Sequence, residues 1–160
     1  MEPLARTALV KELTALLQAG QAHVTFEQAV ANLPAALRNR TVPGAPYTIW
    51  QLVEHLRIAQ ADILEFCLNP GYQELSWPAD YWPDPAVAVD EAGWQATLAA
   101  IAADQQRFID LLGDPATDFF APLPHGSGQN ILREALLIGD HNSYHTGEIV
   151  LLRKLLGAWG

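Results

Sequence analysis

Residues 131–156 read ILREALLIGDHNSYHTGEIVLLRKLL, and the spacing within this stretch decides the fold. Ile138, His141, His145, Ile149 and Leu152 recur at intervals of three and four residues. That is the period of one helix face, and the alternation a strand would need is missing. Gly157 follows, a residue that readily takes the left-handed conformation ending a helix. At about 1.5 Å per residue the helix is roughly 39 Å long, enough to cross a small bundle from end to end.

Moving outward from this helix, the chain offers three more. Thr48-Ile49-Trp50-Gln51 matches a capping box, in which a hydroxyl and an amide satisfy free backbone groups at a helix start. The helix it opens runs to about Leu68, carries Leu52, His55, Leu56, Ala59, Ile63 and Phe66, and stops before Pro70-Gly71. A first helix runs from about Pro3 to Ala19 with Leu9, Leu13, Leu16 and Leu17 inward and Gly20 as its stop. A third covers Val89 to Leu112, ended by Gly113-Asp114-Pro115.

The connections are long. A second capping box, Thr25-Phe26-Glu27-Gln28, opens a short piece that fades by Pro34, and Arg38 to Pro46 reads as a loop. Asn69 to Asp90 holds four prolines and four aromatics. Such a stretch is an ordered crossover, because Trp and Tyr must bury area to be worth keeping there. Pro115, Pro122 and Pro124 shape the last connection. The reading is an all-α four-helix bundle with long ordered loops, one domain over residues 1–160.

Composition narrows the function classes. Eighteen acids against nine bases give a formal charge of −9, with no Lys or Arg run to face phosphates, which disfavours nucleic-acid binding. No apolar run approaches membrane-spanning length and no signal-peptide pattern is present, so a cytoplasmic location is expected. The lone Cys67 reads as a buried small hydrophobe on a helix rather than a reactive thiol.

The histidines carry the chemistry. His141 and His145 are four apart, so their imidazoles sit one turn apart on the inward face of the last helix. Buried uncharged imidazoles need partners, and a metal ion is an economical one. His55 is the only histidine inside the second strongly amphipathic helix and the best third ligand; His23 and His125 fall in loops. Three imidazoles leave a coordination position open, which marks a catalytic rather than a structural site. Nitrogen ligands suit several divalent ions; availability puts zinc first, with nickel as the alternative. Glu148 follows His145 by three residues, where it would hydrogen-bond a metal-bound water or the outer nitrogen of a ligand histidine, or stand as a solvated carboxylate. Asp62 reads as a pocket residue or a surface charge, and Trp50, Tyr81, Trp82 and Tyr144 as pocket walls or core packing.

Two segments resemble a known family. Asp140-His141-Asn142-Ser143-Tyr144-His145-Thr146-Gly147-Glu148-Ile149-Val150-Leu151-Leu152-Arg153 is similar to the last helix of the DinB/YfiT-like metalloenzymes, and Thr48 to Leu56 looks like their second helix with its metal histidine. The resemblance implies an up-down-down-up bundle, a metal held by His55, His141 and His145, and homodimers. Members with known chemistry include bacillithiol S-transferases and mycothiol-dependent maleylpyruvate isomerases. Where members often have glutamine, this chain has Glu148, adding negative charge beside the metal.

The resulting expectation is a metal-dependent enzyme acting on a small-molecule substrate, a thiol-dependent S-transferase or related hydrolase using a low-molecular-weight thiol. The competing reading is a non-catalytic metal-binding bundle, acting in stress response or as a small-ligand-binding dimer. A water or ligand on the metal beside a pocket separates the first from the second, in which a fourth protein ligand closes the shell.

Overall fold

A computed structural model describes residues 1–19 and 21–160. Gly20, the expected stop of the first helix, lies outside the described residues. The described residues form six α-helices: α1 (Pro3–Gln18), α2 (Phe26–Val30), α3 (Ala35–Arg38), α4 (Ile49–Leu68), α5 (Glu91–Gly113) and α6 (Ile131–Leu155). Four are long and make the bundle. A single 3₁₀ turn, Ala79–Tyr81, interrupts the crossover between α4 and α5.

Both capping boxes form as expected. The Thr25 and Thr48 hydroxyls accept from the backbone of Gln28 and Gln51, whose side-chain oxygens accept in return from the Thr amides. Asp90 and Asn130 cap α5 and α6 through their side chains. Gly157 ends α6 at φ +70°, with the Ala158 amide donating to the Arg153 carbonyl. One expectation needs correcting. Arg38 does not open a loop but closes α3, a turn that starts after Pro34, whose fixed φ suits a helix entrance.

Contacts between helices set their directions. Glu54 on α4 accepts from Thr97 on α5, Gln60 donates to the Ile101 carbonyl, and Glu65 pairs with Arg107. The partners advance together, so α4 and α5 are parallel. Leu17 near the end of α1 accepts from Gln105, whereas Arg6 near its start donates to the Leu112 and Thr117 carbonyls, so α1 and α5 are antiparallel. The start of α4 shares a core cluster with Ile149 and Leu152, and Leu64 near its end shares another with Ile131 and Ala135, so α6 opposes α4. The order is up-down-down-up. Parallel neighbours cannot be joined by a tight turn, which is why residues 69–90 must travel the length of the bundle.

That crossover is held at both ends. Asn39 donates to the Val89 carbonyl and accepts from the Val89 amide, while Asp62 on α4 accepts from the hydroxyls of Tyr72 and Tyr81. Among the described residues no helix is long and apolar enough to cross a membrane.

Candidate metal centre

His55 on α4 and His141 and His145 on α6 meet between the two core clusters. Each offers a ring nitrogen, and the three ligand atoms all lie within 4.8 Å of one another. The Nε2 atoms of His55 and His141 are 3.1 Å apart. Two nitrogens bound to one ion at about 2.1 Å lie roughly 3.0–3.4 Å apart, so this pair is already at ligand spacing. The helix period places His141 and His145 on one face, and antiparallel packing of α6 on α4 brings His55 opposite them.

The outer nitrogens are oriented by oxygen acceptors. His55 Nδ1–H donates to the Tyr81 carbonyl at 2.7 Å, and His145 Nδ1 lies 2.7 Å from the Glu148 carboxylate. Each bond directs its ring's Nε2 lone pair at the centre of the cluster, the arrangement in which outer partners select the tautomer of a metal-ligating imidazole. Glu148 thus lies against the outer nitrogen of His145. His141 Nδ1 is buried without a partner.

Burial disfavours the charged form of two of the three rings, His141 and His55. It pushes His141 down to about 4, with the neighbouring His145 and His55 adding to the effect. Burial also lowers His55, partly opposed by the Tyr81 carbonyl. Neutral imidazoles are the form a metal requires. Among the facing nitrogens the recorded contact is His55 Nε2 to His141 Nε2 at 3.1 Å, and a cation would give all three rings a common partner. The donor set therefore fits a divalent ion, and this three-histidine group could hold one.

Around the cluster, Trp82 stacks on His55 with ring centroids 3.9 Å apart and planes 3° from parallel, and Tyr47 stacks on the far side of Trp82. Beside it opens a cavity of about 370 Å³ lined by His55, His141, Asp62, Tyr81, Trp77 and Glu134, among others. This is within the size range of small-molecule sites. Asp62 and Tyr81 are thus on the pocket wall. Two other expected wall residues are elsewhere: Trp50 is buried in the core cluster of Val53 and Ile149, and Tyr144, 65 % exposed, lies edge-on to His145 outside the cavity. Trp50 turns inward because it occupies the first turn of α4, where α2 and the end of α6 cover it.

Other histidines stay apart, as expected from their loop positions: His23 bonds Ser143 and His125 bonds the Phe66 carbonyl. Cys67 is half-buried, its thiol pushed up to about 12 by burial and the nearby Glu134 charge, so it is not a thiolate at neutral pH.

Two contributions escaped the sequence reading. Glu134, only 1 % exposed, carries a carboxylate paired with Arg133 on the cavity wall. Its signal was available, since Glu134, Ile138, His141 and His145 continue one helical stripe. The Tyr81 carbonyl left no signal, because any residue type presents a main-chain oxygen.

No curated protein and no solved structure matches the chain significantly. A family model does, over residues 8–149, nearly the whole of the bundle including all three histidines, and its description is the DinB superfamily. With that match and an up-down-down-up bundle built around the three-histidine group, the chain belongs to the DinB superfamily.

Proposed function

We propose that the protein is a metal-dependent enzyme that uses His55, His141 and His145 to hold a divalent ion, zinc first and nickel as the alternative, and acts on a small molecule in the adjoining cavity. The observation that carries this reading is the coincidence of three ring nitrogens within 4.8 Å of one another and a cavity of about 370 Å³ lined by two of those rings. Three protein ligands leave room for a fourth from solvent or substrate. Glu148 engages the back of His145 rather than the centre, which favours an open coordination position over a closed structural one.

When bound, the ion supplies Lewis acidity, lowering the pKa of a thiol or water that it coordinates. The protein's own groups do the rest. The Tyr81 carbonyl and Glu148 fix the two imidazoles in their ligating tautomers. Trp82 covers one face of His55 and keeps water from it. Asp62, Tyr81 and Glu134 give the cavity wall polar positions among apolar ones, so a small polar molecule can be oriented beside the histidines. The thiol-dependent members of the family supply the substrate expectation, an S-transferase or related hydrolase using a low-molecular-weight thiol. Homodimerisation and a cytoplasmic location are parts of the same proposal.

Two measurements test it. Elemental analysis of protein purified without a nickel column should find one metal per chain, lost in His141→Ala; equal metal content in the two removes the site. A conjugation screen with bacillithiol, mycothiol, glutathione and coenzyme A against a general electrophile, with metal-free protein as control, tests the chemistry. Absence of metal-dependent turnover with every thiol would favour the non-catalytic bundle.

A further inference from the structure

Tyr81 is held to α4 at both of its ends. Its hydroxyl donates to Asp62 Oδ2 at 2.6 Å, and its main-chain carbonyl accepts from His55 Nδ1–H at 2.7 Å. Asp62 lies seven residues after His55, two turns along the same face of the same helix. The other oxygen of Asp62 accepts from Tyr72 at 2.8 Å, so one carboxylate pins the crossover at two points. The next residue, Trp82, is the one stacked on the His55 ring.

We infer that Asp62 is a positioning residue for the histidine cluster, acting through Tyr81 to keep the carbonyl that orients His55 in place. This rests on the reading of His55 as a metal ligand. Its physical basis is chain entropy. The segment between α4 and α5 is long, with the 3₁₀ turn Ala79–Tyr81 as its regular element, and a single bond between a carbonyl and an imidazole is a weak restraint on such a segment. A hydrogen bond to an ionised carboxylate is stronger than a neutral one, and Asp62 applies it on the residue whose carbonyl matters. Tyr72 offers an internal control: its phenol reaches the same carboxylate, yet the His55 Nδ1–H bonds the carbonyl of Tyr81 and not that of Tyr72.

The test uses the full chain, metal-free and with Co²⁺, in Tyr81→Phe, Asp62→Asn and Tyr72→Phe, each checked for native helical circular dichroism. In metal-free protein the His55 Nδ1 proton, assigned by its loss in His55→Gln, is followed by nitrogen-edited NMR. Its exchange with solvent should be at least about tenfold faster in Tyr81→Phe and Asp62→Asn than in wild type, and nearly unchanged in Tyr72→Phe. Co²⁺ affinity, read from the visible d–d bands, should fall about 10- to 100-fold in the first two variants, the range typical of outer partners of metal ligands. Unchanged proton exchange in Tyr81→Phe and Asp62→Asn overturns the inference. So does a Tyr72→Phe variant that matches Tyr81→Phe, since Asp62 would then be a general loop anchor. Wild-type protein that takes up no Co²⁺ defeats the metal reading instead, and proton exchange in the metal-free protein then decides the role of Asp62.

Discussion

Metal-free protein should lose stability as the pH falls from about 6.5 toward 4, and His141 should account for a separable part of the loss. The unfolded His141 titrates near 6.5, and in the fold burial and two neighbouring imidazoles bring it down to about 4. Between those values the unfolded chain binds a proton that the native chain excludes. Stability from this group is therefore intact above about 6.5 and declines as pH drops. A separation of about 2.5 units at about 1.4 kcal/mol per unit corresponds to roughly 3 kcal/mol in full, of which about 2 kcal/mol falls between pH 7 and pH 5. Solvent screening of a partly exposed ring trims this further. Urea unfolding followed by helical circular dichroism, in chelator at pH 7, 6 and 5, should show wild type losing about 1–2 kcal/mol more than His141→Gln over that range. Carboxylates titrate in both proteins and cancel in the comparison. With the chelator left out, added zinc should raise stability at pH 7 by about 2.7 kcal/mol at a hundredfold excess over its dissociation constant, and should fail to do so at pH 5, where protons compete for the same nitrogens. Parallel pH profiles for the two proteins would show that His141 is not held neutral by its surroundings.

Glu148→Gln keeps an acceptor for His145 but removes its charge, and metal affinity measured by competition with a chromogenic chelator should weaken about tenfold while the unfolding midpoint of metal-free protein stays put. Gly139→Ala places a Cβ 2.7–2.8 Å from the Leu16 side chain, where α1 meets α6, and should cost about 1–3 kcal/mol in urea unfolding without changing metal content. Arg153→Met strips donors from the carbonyls of Ala29, Ala31 and Ala158, joining α6 to α2 and to the chain beyond it, and should cost about 3 kcal/mol or more; a loss below about 1 kcal/mol would mean that water replaces the guanidinium easily.

The sequence by itself determined the elements and which three histidines would meet. Capping boxes at Thr25 and Thr48, glycine and proline stops, and apolar spacing are local features, so the helix boundaries they predict fall within a few residues of those observed. The pairing of His141 with His145 is local too, since one turn of helix separates them. His55 could be chosen from sequence because it is the only histidine on the inward stripe of another long helix. What surrounds those rings was decided by tertiary structure alone. Tyr81 reaches His55 through a backbone carbonyl and Trp82 through a stacking plane, both fixed by the path of a long crossover between parallel helices, while Trp50 is in the core because α2 and the end of α6 close over the first turn of α4. Periodicity reports which face a residue occupies, not which distant segment will lie against that face, because that depends on how the whole chain closes around its core.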